Sequence, residues 1–233
     1  MEASMIRDNL LRVMDRIEKA CQRAGRQGRE VQLVAVTKTV PVDRILEAVR
    51  CGVTDIGESR VQESQEKFQS LAGRAQVRRH LIGRLQRNKA GRAAEIFDCV
   101  QSLESARCAQ ALDRRAKELG KVLDCLIEVK ASPEAAKGGV PAEDFEAFIE
   151  SCRDLENLRL RGLMAIPPYE EDPEGSRPVF RAVRELFSKQ VSHFTRPILS
   201  MGMSHDLEAA IQEGSTMVRV GRAIFGERPI GPI

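Results

Sequence analysis

The chain has 233 residues, 42% of them hydrophobic and 30% charged, enough for one domain spanning residues 1–233 with a full core. Its 37 basic and 34 acidic residues are mixed along the sequence, so the net charge of +3 carries no footprint for nucleic acid. No apolar run approaches the length of a membrane span, and the N-terminus lacks the apolar stretch of a secretory signal, so neither a membrane nor an export route is expected.

There is no tryptophan and a single tyrosine, Tyr169, so the core has to be aliphatic. Cys21, Cys51, Cys99, Cys108, Cys125 and Cys152 form neither a C-x-x-C pair nor a compact disulfide framework. They read as reduced, mostly buried thiols of a cytoplasmic protein. His80, His193 and His205 are too few and too scattered for a metal centre.

Ile6, Leu10, Val13, Met14, Ile17 and Cys21 recur at three and four residues and predict an opening helix with one buried face. This segment is amphipathic and Arg-containing, as transit peptides are, but Asp8, Asp15 and Glu18 interrupt it and favour a structural helix. Val31–Val36 (VQLVAV) reads as a strand and Val42–Arg50 as a helix ending near Gly52. Val53–Ile56 is a second strand, followed by a polar helix to about Leu71. His80–Ile82 closes a third, with a short helix around Gln86–Ala94. Phe97–Gln101 is a fourth, with Glu104–Leu119 as its helix and Gly120 as the cap. Val122–Val129 is a fifth, leading through a Gly-containing loop to the helix Ala142–Arg153. Leu158–Met164 with the helix Glu174–Gln190, Pro197–Leu199 with Asp206–Gln212, and Met217–Val220 complete the set.

Eight strands alternating with helices, most lacking strict polar alternation, predict a parallel sheet buried on both faces. The count and length fit a single closed (β/α)8 TIM-type barrel with an extra N-terminal helix; an open doubly wound sheet is the rival. Barrel sites lie at the C-terminal ends of the strands. That rule selects Lys38, Glu58 and Ser59, His80 to Arg84, Lys130, Met164 to Tyr169, Ser200 to Ser204, and Arg219 to Gly226.

Lys38 ends the apolar run LVAVTK, where a partly apolar setting favours the neutral, nucleophilic amine; taken alone, a solvated strand-end lysine is the more common reading. Gly202 and Ser204 precede a helix, and Gly221–Arg222 form a second small-residue turn after strand eight, so the two loops together suggest a phosphate site. Each is otherwise an ordinary turn, with Ser204 a helix cap. A Schiff-base lysine facing a phosphate suggests either pyridoxal phosphate or a sugar-phosphate aldolase. Arg219, inside the apolar MVRV, needs an anionic or acceptor partner; it either faces a pyridine nitrogen or pairs with a nearby carboxylate.

The segments VAVTKTVP, DIGESRVQE, HLIGRLQRNK, GLMAIPP and LSMGMSHDLEAAIQEGSTMVRVGRAIFGER resemble those of the pyridoxal phosphate homeostasis proteins, the YggS/PROSC family, across nearly the whole chain. The resemblance implies a barrel like the N-terminal domain of bacterial alanine racemase. It implies that Lys38 carries pyridoxal 5′-phosphate (PLP) as an internal aldimine and that Arg219 faces the pyridine nitrogen. Ser204, Gly221 and Arg222 then surround the phosphate, with Met203 close by. The sequence departs from the family pattern at Ser59 and Arg60, which replace Asn and an aromatic, though Ser59 still offers a hydroxyl near the cofactor. Lys130 stands where relatives often have Asn, and Arg79 where an aromatic precedes the family's H-x-I-G. His80 contacts the cofactor ring or is a structural hydrogen-bonder.

The function expected from the resemblance is PLP homeostasis: buffering the cofactor and delivering it to apo PLP enzymes by transient contact, as a cytoplasmic monomer without metal. The alternative is a PLP-dependent enzyme on amino acids, such as a racemase. Racemisation needs two bases, and related racemases take the second, a tyrosine, from a further C-terminal domain. The chain's end at Ile233 argues for carrier over enzyme, with Tyr169 read as a loop residue.

Overall fold

A computed structural model describes residues 5–131 and 138–227; residues 1–4, 132–137 and 228–233 of the expected domain lie outside them. The strands are β1 (Gln32–Val36), β2 (Asp55–Glu58), β3 (Arg78–Leu81), β4 (Cys99–Leu103), β5 (Leu123–Glu128), β6 (Leu158–Met164), β7 (Ile198–Ser200) and β8 (Met217–Val220). They pair in sequence order, all parallel. Four register pairs from Gln32↔Met217 to Ala35↔Val220 join β1 to β8 and close the barrel, which removes the open-sheet rival.

The helices are α1 (Met5–Arg23), α2 (Val42–Arg50), α3 (Val61–Leu71), α4 (Ala90–Ile96), α5 (Ala106–Glu118), α6 (Phe145–Ser151), α7 (Arg177–Gln190), α8 (Leu207–Gln212) and α9 (Arg222–Phe225). Local chemistry sets several of their starts. Pro41 and Asp43 open α2, and the Ser105 hydroxyl accepts from Cys108 N at 3.3 Å to cap α5. The expected helices after β3, β5 and β6 each begin as a short 3-10 turn, at 87–89, 142–144 and 173–176.

Because side chains alternate along a strand, the wall has two apolar faces. Val34, Cys99, Leu126, Met164, Ile198 and Met217 form a small cluster inside the barrel. Their neighbours Ala35, Val100, Ile127, Leu163, Leu199 and Val218 join the larger cluster under the helices. Fully burying one such Leu or Ile side chain contributes about 1.5–3 kcal/mol. The six cysteines are all free and five of them are buried.

The opening helix is structural, as expected. α1 buries Ile6, Leu10, Val13, Ile17, Ala20 and Cys21 against α8 and α9, while Met14, expected on that face, is 45% exposed. Arg16 fixes the docking with an ion pair to Glu208 (2.6 Å) and a bond to Ser204 O (3.0 Å). α1 thereby braces the loop after β7 from behind.

Candidate cofactor site

The C-terminal mouth of the barrel holds a cavity of about 810 Å³ whose lining includes Lys38, Ser59, Met203, Ser204, Arg219, Gly221 and Arg222. These are seven of the eight residues that the family resemblance and its departures set around the cofactor, all but His80, and they come from the ends of β1, β2, β7 and β8. Ile82 and Gly83 supply the wall after β3, and Ile166 to Tyr169 the rim after β6.

Lys38 is half-buried just past β1. The peptides on either side of it are both held by α3. Lys67 Nζ donates to Thr37 O at 2.8 Å, and Thr39 N donates to Glu63 Oε1 at 2.8 Å. Thr39 adopts φ +63°, a conformation few side-chain-bearing residues tolerate, and the Glu63 bond stabilises it. Lys67 also contacts Glu58 Oε1 at 2.6 Å; that carboxylate is fully buried, accepts from Thr37 Oγ1 at 2.7 Å, and leaves Oε2 without a partner. Burial pushes the Glu58 carboxyl up, and Lys67 only partly offsets it.

Ser59 reaches the cavity because Gly83 lets the two strand ends approach; a Cβ at residue 83 would collide with the Ser59 carbonyl. Arg60 points to solvent. Ser204 does not cap α8: Asp206 takes that position, with its carboxylate accepting from Met203 N at 2.7 Å. The Ser204 hydroxyl instead accepts from Ala223 N at 3.3 Å, linking the loop after β7 to the start of α9. The two loops expected to act together are physically joined.

Arg219 is 3% exposed on the cavity floor. It donates to Ser200 O (2.9 Å), Ser200 Oγ (2.7 Å) and Ala165 O (2.9 Å), and no carboxylate is among its hydrogen-bond partners. A guanidinium has five N–H donors, so three of five are committed and two remain. Burial lowers its pKa to about 10, opposed by Glu128 and Asp206, and it stays a cation at neutral pH. Glu128, at the end of β5, is the carboxylate with the largest effect on it. Burial and then Glu104 push Glu128 up to about 7. Sequence reasoning passed over Glu128; a charged residue in the run LDCLIEV was the available signal.

Two expectations are corrected. His80 does not line the cavity: it is fully buried inside the barrel, bonded to Asp55 Oδ1 (2.9 Å) and Gln101 Nε2 (3.0 Å), so it is the structural hydrogen-bonder of the two alternatives. Its strand points it inward a full layer below Ile82, which does reach the cavity. Lys130 lines a separate groove with Val129, Pro141 and α7 residues rather than sharing the mouth with Lys38. Tyr169 is a loop residue, as read, but it also lines the cavity rim, 75% exposed and stacked on His205 with centroids 5.7 Å apart. Arg79 is engaged elsewhere, paired with Asp98 at 2.9 Å and lying over Phe68.

Among the described residues no group of His, Cys, Asp and Glu has a metal-binding arrangement, and no helix is long and apolar enough to cross a membrane. Residues 9–229 match the family model described as alanine racemase, N-terminal domain. An alanine racemase of Clostridium difficile 630 superimposes with a TM-score of 0.73 over 95% of this chain and 57% of its own; at 16% identity that likeness is one of fold. The solved structure of PipY from Synechococcus elongatus PCC7942, with PLP bound, is 35% identical with a TM-score of 0.79 over 90% of this chain and 100% of its own. The pyridoxal phosphate homeostasis protein of Aquifex aeolicus is 43% identical over 223 residues, covering 95% of this chain and 97% of the relative. With the barrel and its mouth residues in place, these relationships establish that the chain belongs to the family of pyridoxal phosphate homeostasis proteins.

Proposed function

We propose that this protein binds pyridoxal 5′-phosphate and acts in its homeostasis, holding the cofactor reversibly on Lys38 and buffering it or releasing it to apo-enzymes. The observation that carries the reading is that one cavity gathers a primary amine, a buried guanidinium with unused donors, and the joined loops after β7 and β8. PipY, a relative of similar length, has been solved with PLP bound.

The donor set fits the group. Lys38 supplies the amine, Ser204 and Arg222 a hydroxyl and a cation for a phosphate, and Gly221 a side-chain-free turn packed on Val36. Arg219 would present a cation to the ring nitrogen of such a cofactor, Ser59 would offer a hydroxyl, and Met203 would add apolar contact. When bound, the cofactor contributes an aldehyde that condenses reversibly with an amine. The chain's own residues do the rest: α3 holds the Lys38 turn, and the Arg219 cation would keep a ring nitrogen facing it unprotonated. We place the protein in the cytoplasm as a monomer of one domain, in keeping with its free thiols. The alternative, a PLP-dependent enzyme acting on amino acids, has one observation in its favour, the presence of Tyr169 on the same cavity.

The test is a visible spectrum of the protein with PLP before and after borohydride, followed by peptide mapping. The adduct is expected on Lys38, and Lys38→Ala should abolish the visible band while retaining part of the affinity. An adduct mainly on Lys130 or on surface lysines would refute the assignment.

A further inference from the structure

Below the cavity floor the barrel interior contains a file of buried polar side chains. Arg219 Nη1 donates to Ser200 Oγ at 2.7 Å, and Ser200 Oγ donates to Gln101 Oε1 at 2.7 Å. Gln101 Nε2 lies 3.0 Å from His80 Nδ1, and His80 Nε2 lies 2.9 Å from Asp55 Oδ1. Every member is buried, from Arg219 at 3% exposed to His80, Gln101 and Ser200 at 0% and Asp55 at 5%. The file runs from the cavity floor to the first residue of β2, crossing the interior between apolar side chains.

Its direction follows from donor chemistry. The guanidinium can only donate, so Ser200 accepts from it and turns its own proton to Gln101 Oε1. The amide nitrogen then donates to Nδ1, which leaves Nε2–H to donate to Asp55. Four hydrogen bonds all point the same way, away from the cation and toward the carboxylate. Aligned bonds of this kind polarise one another, so the negative charge of Asp55 strengthens Ser200 Oγ as an acceptor. Asp55 is itself held charged: burial raises its carboxyl, but bonds from His80 and Thr54 outweigh burial and bring it below its ordinary value. An unpaired buried Arg would be costly, and this one has no direct carboxylate bond.

We infer that Ser200, Gln101 and His80 are positioning residues that deliver the charge of Asp55 to Arg219 through a one-way hydrogen-bond relay and so fix the guanidinium on the cavity floor. The effect on bound cofactor rests on the PLP reading above; the relay itself does not.

The experiment therefore has two arms. In the cofactor-free protein, ¹⁵N NMR should find His80 as the neutral Nε2–H tautomer with Nδ1 accepting, and Arg219 with resolved, slowly rotating Nη hydrogens. Ser200→Ala and Gln101→Leu should average those hydrogens, whereas Ser200→Thr, which keeps the hydroxyl, should preserve them. In the second arm, Ser200→Ala and Gln101→Leu should shift the absorption maximum of bound PLP in the same direction and weaken retention by about tenfold, with Ser200→Thr close to wild type in both. A purely structural role would lower stability and leave the spectrum unmoved. A protonated Nδ1 in the unmodified protein, or an unchanged Arg219 signal in folded Ser200→Ala, would overturn the relay. If the wild type shows no PLP band while the first arm succeeds, the PLP reading fails and the relay stands.

Discussion

Replacing Lys67 with methionine isolates the buried charge behind the Lys38 turn. The substitution keeps most of the stem volume and removes an ammonium that contacts Glu58 (2.6 Å), Thr37 O (2.8 Å) and Glu63 (3.0 Å). Glu58 would be left fully buried, with Thr37 Oγ1 as its one remaining donor. Breaking a buried pair from one side typically costs about 3–5 kcal/mol. An independent limit comes from the escape route, since the carboxylate can take up a proton instead. An ordinary glutamate titrates at about 4.3, so neutralising Glu58 at pH 7 costs about 3.7 kcal/mol, and at pH 5 about 1 kcal/mol.

The sign of the pH effect is fixed by the direction of the shift. Glu58 is raised in the folded protein, so its favourable contribution is complete below the unfolded value and is lost as pH rises through the folded one. Without Lys67 it is raised further, so the deficit of Lys67→Met against wild type should shrink from about 3–4 kcal/mol at pH 7 to about 1 kcal/mol at pH 5. Urea unfolding followed by far-ultraviolet circular dichroism at both pH values reads it directly. Adding Glu58→Gln should recover most of the loss at pH 7. A deficit below about 1 kcal/mol at pH 7, or one that does not change with pH, would refute the pairing argument.

Gly162→Ala should cost more than about 3 kcal/mol, because φ is +142° there and a Cβ would strike the Ile198 carbonyl across the β6–β7 pair; near-native thermal stability would contradict this. Ser204→Ala removes a hydroxyl that is already engaged by Ala223 N and has its own proton to give, so PLP retention should fall by about fivefold, about 1 kcal/mol. Arg222→Ala should weaken retention more at low salt than at high salt, since Arg222 is solvent-exposed, and equal effects at both would remove it from the phosphate site. With L- or D-alanine in deuterated water, Cα exchange should stay near that of free PLP. Robust turnover lost in both Lys38→Ala and Tyr169→Phe would favour the enzyme reading, with Tyr169 as the base.

The barrel was legible because its wall is written in apolar runs. The bounds of α2, β6 and β8 agree with the sequence reading residue for residue. The second strand shows where such reading stops. It was expected at Val53–Ile56 and lies at Asp55–Glu58, all four residues buried. The expected strand kept Asp55 between Thr54 and Ile56 but stopped short of Glu58, although both carboxylates lie in the strand, where His80 and Lys67 reach them from distant segments. Those partners are 25 and 9 residues away, a distance that no local pattern encodes. The four-residue α9 escaped for the opposite reason, being too short for a periodicity to develop.

The cavity residues follow the same division. A strand-end rule was enough to bring Lys38, Ser59, Met203, Ser204, Arg219, Gly221 and Arg222 to one mouth, because it depends on topology alone. Applied to His80 it failed, since the rule says which end of a strand faces the site but not how far below the rim a side chain sits. Arg219 makes the physical point most clearly. An arginine in an apolar strand demanded a partner, and a nearby carboxylate was one of its two candidates, a pyridine nitrogen the other. The fold met that demand with two carbonyls and a serine hydroxyl, while the carboxylates that favour its charge, Glu128 and Asp206, act on it without a hydrogen bond. Such an arrangement leaves the guanidinium charged and two of its donors uncommitted, whereas a direct carboxylate pair would have occupied them. A buried cation kept available in this way is suited to meeting an acceptor brought in by a ligand, and that availability is the physical ground on which Arg219 is proposed as a cofactor contact.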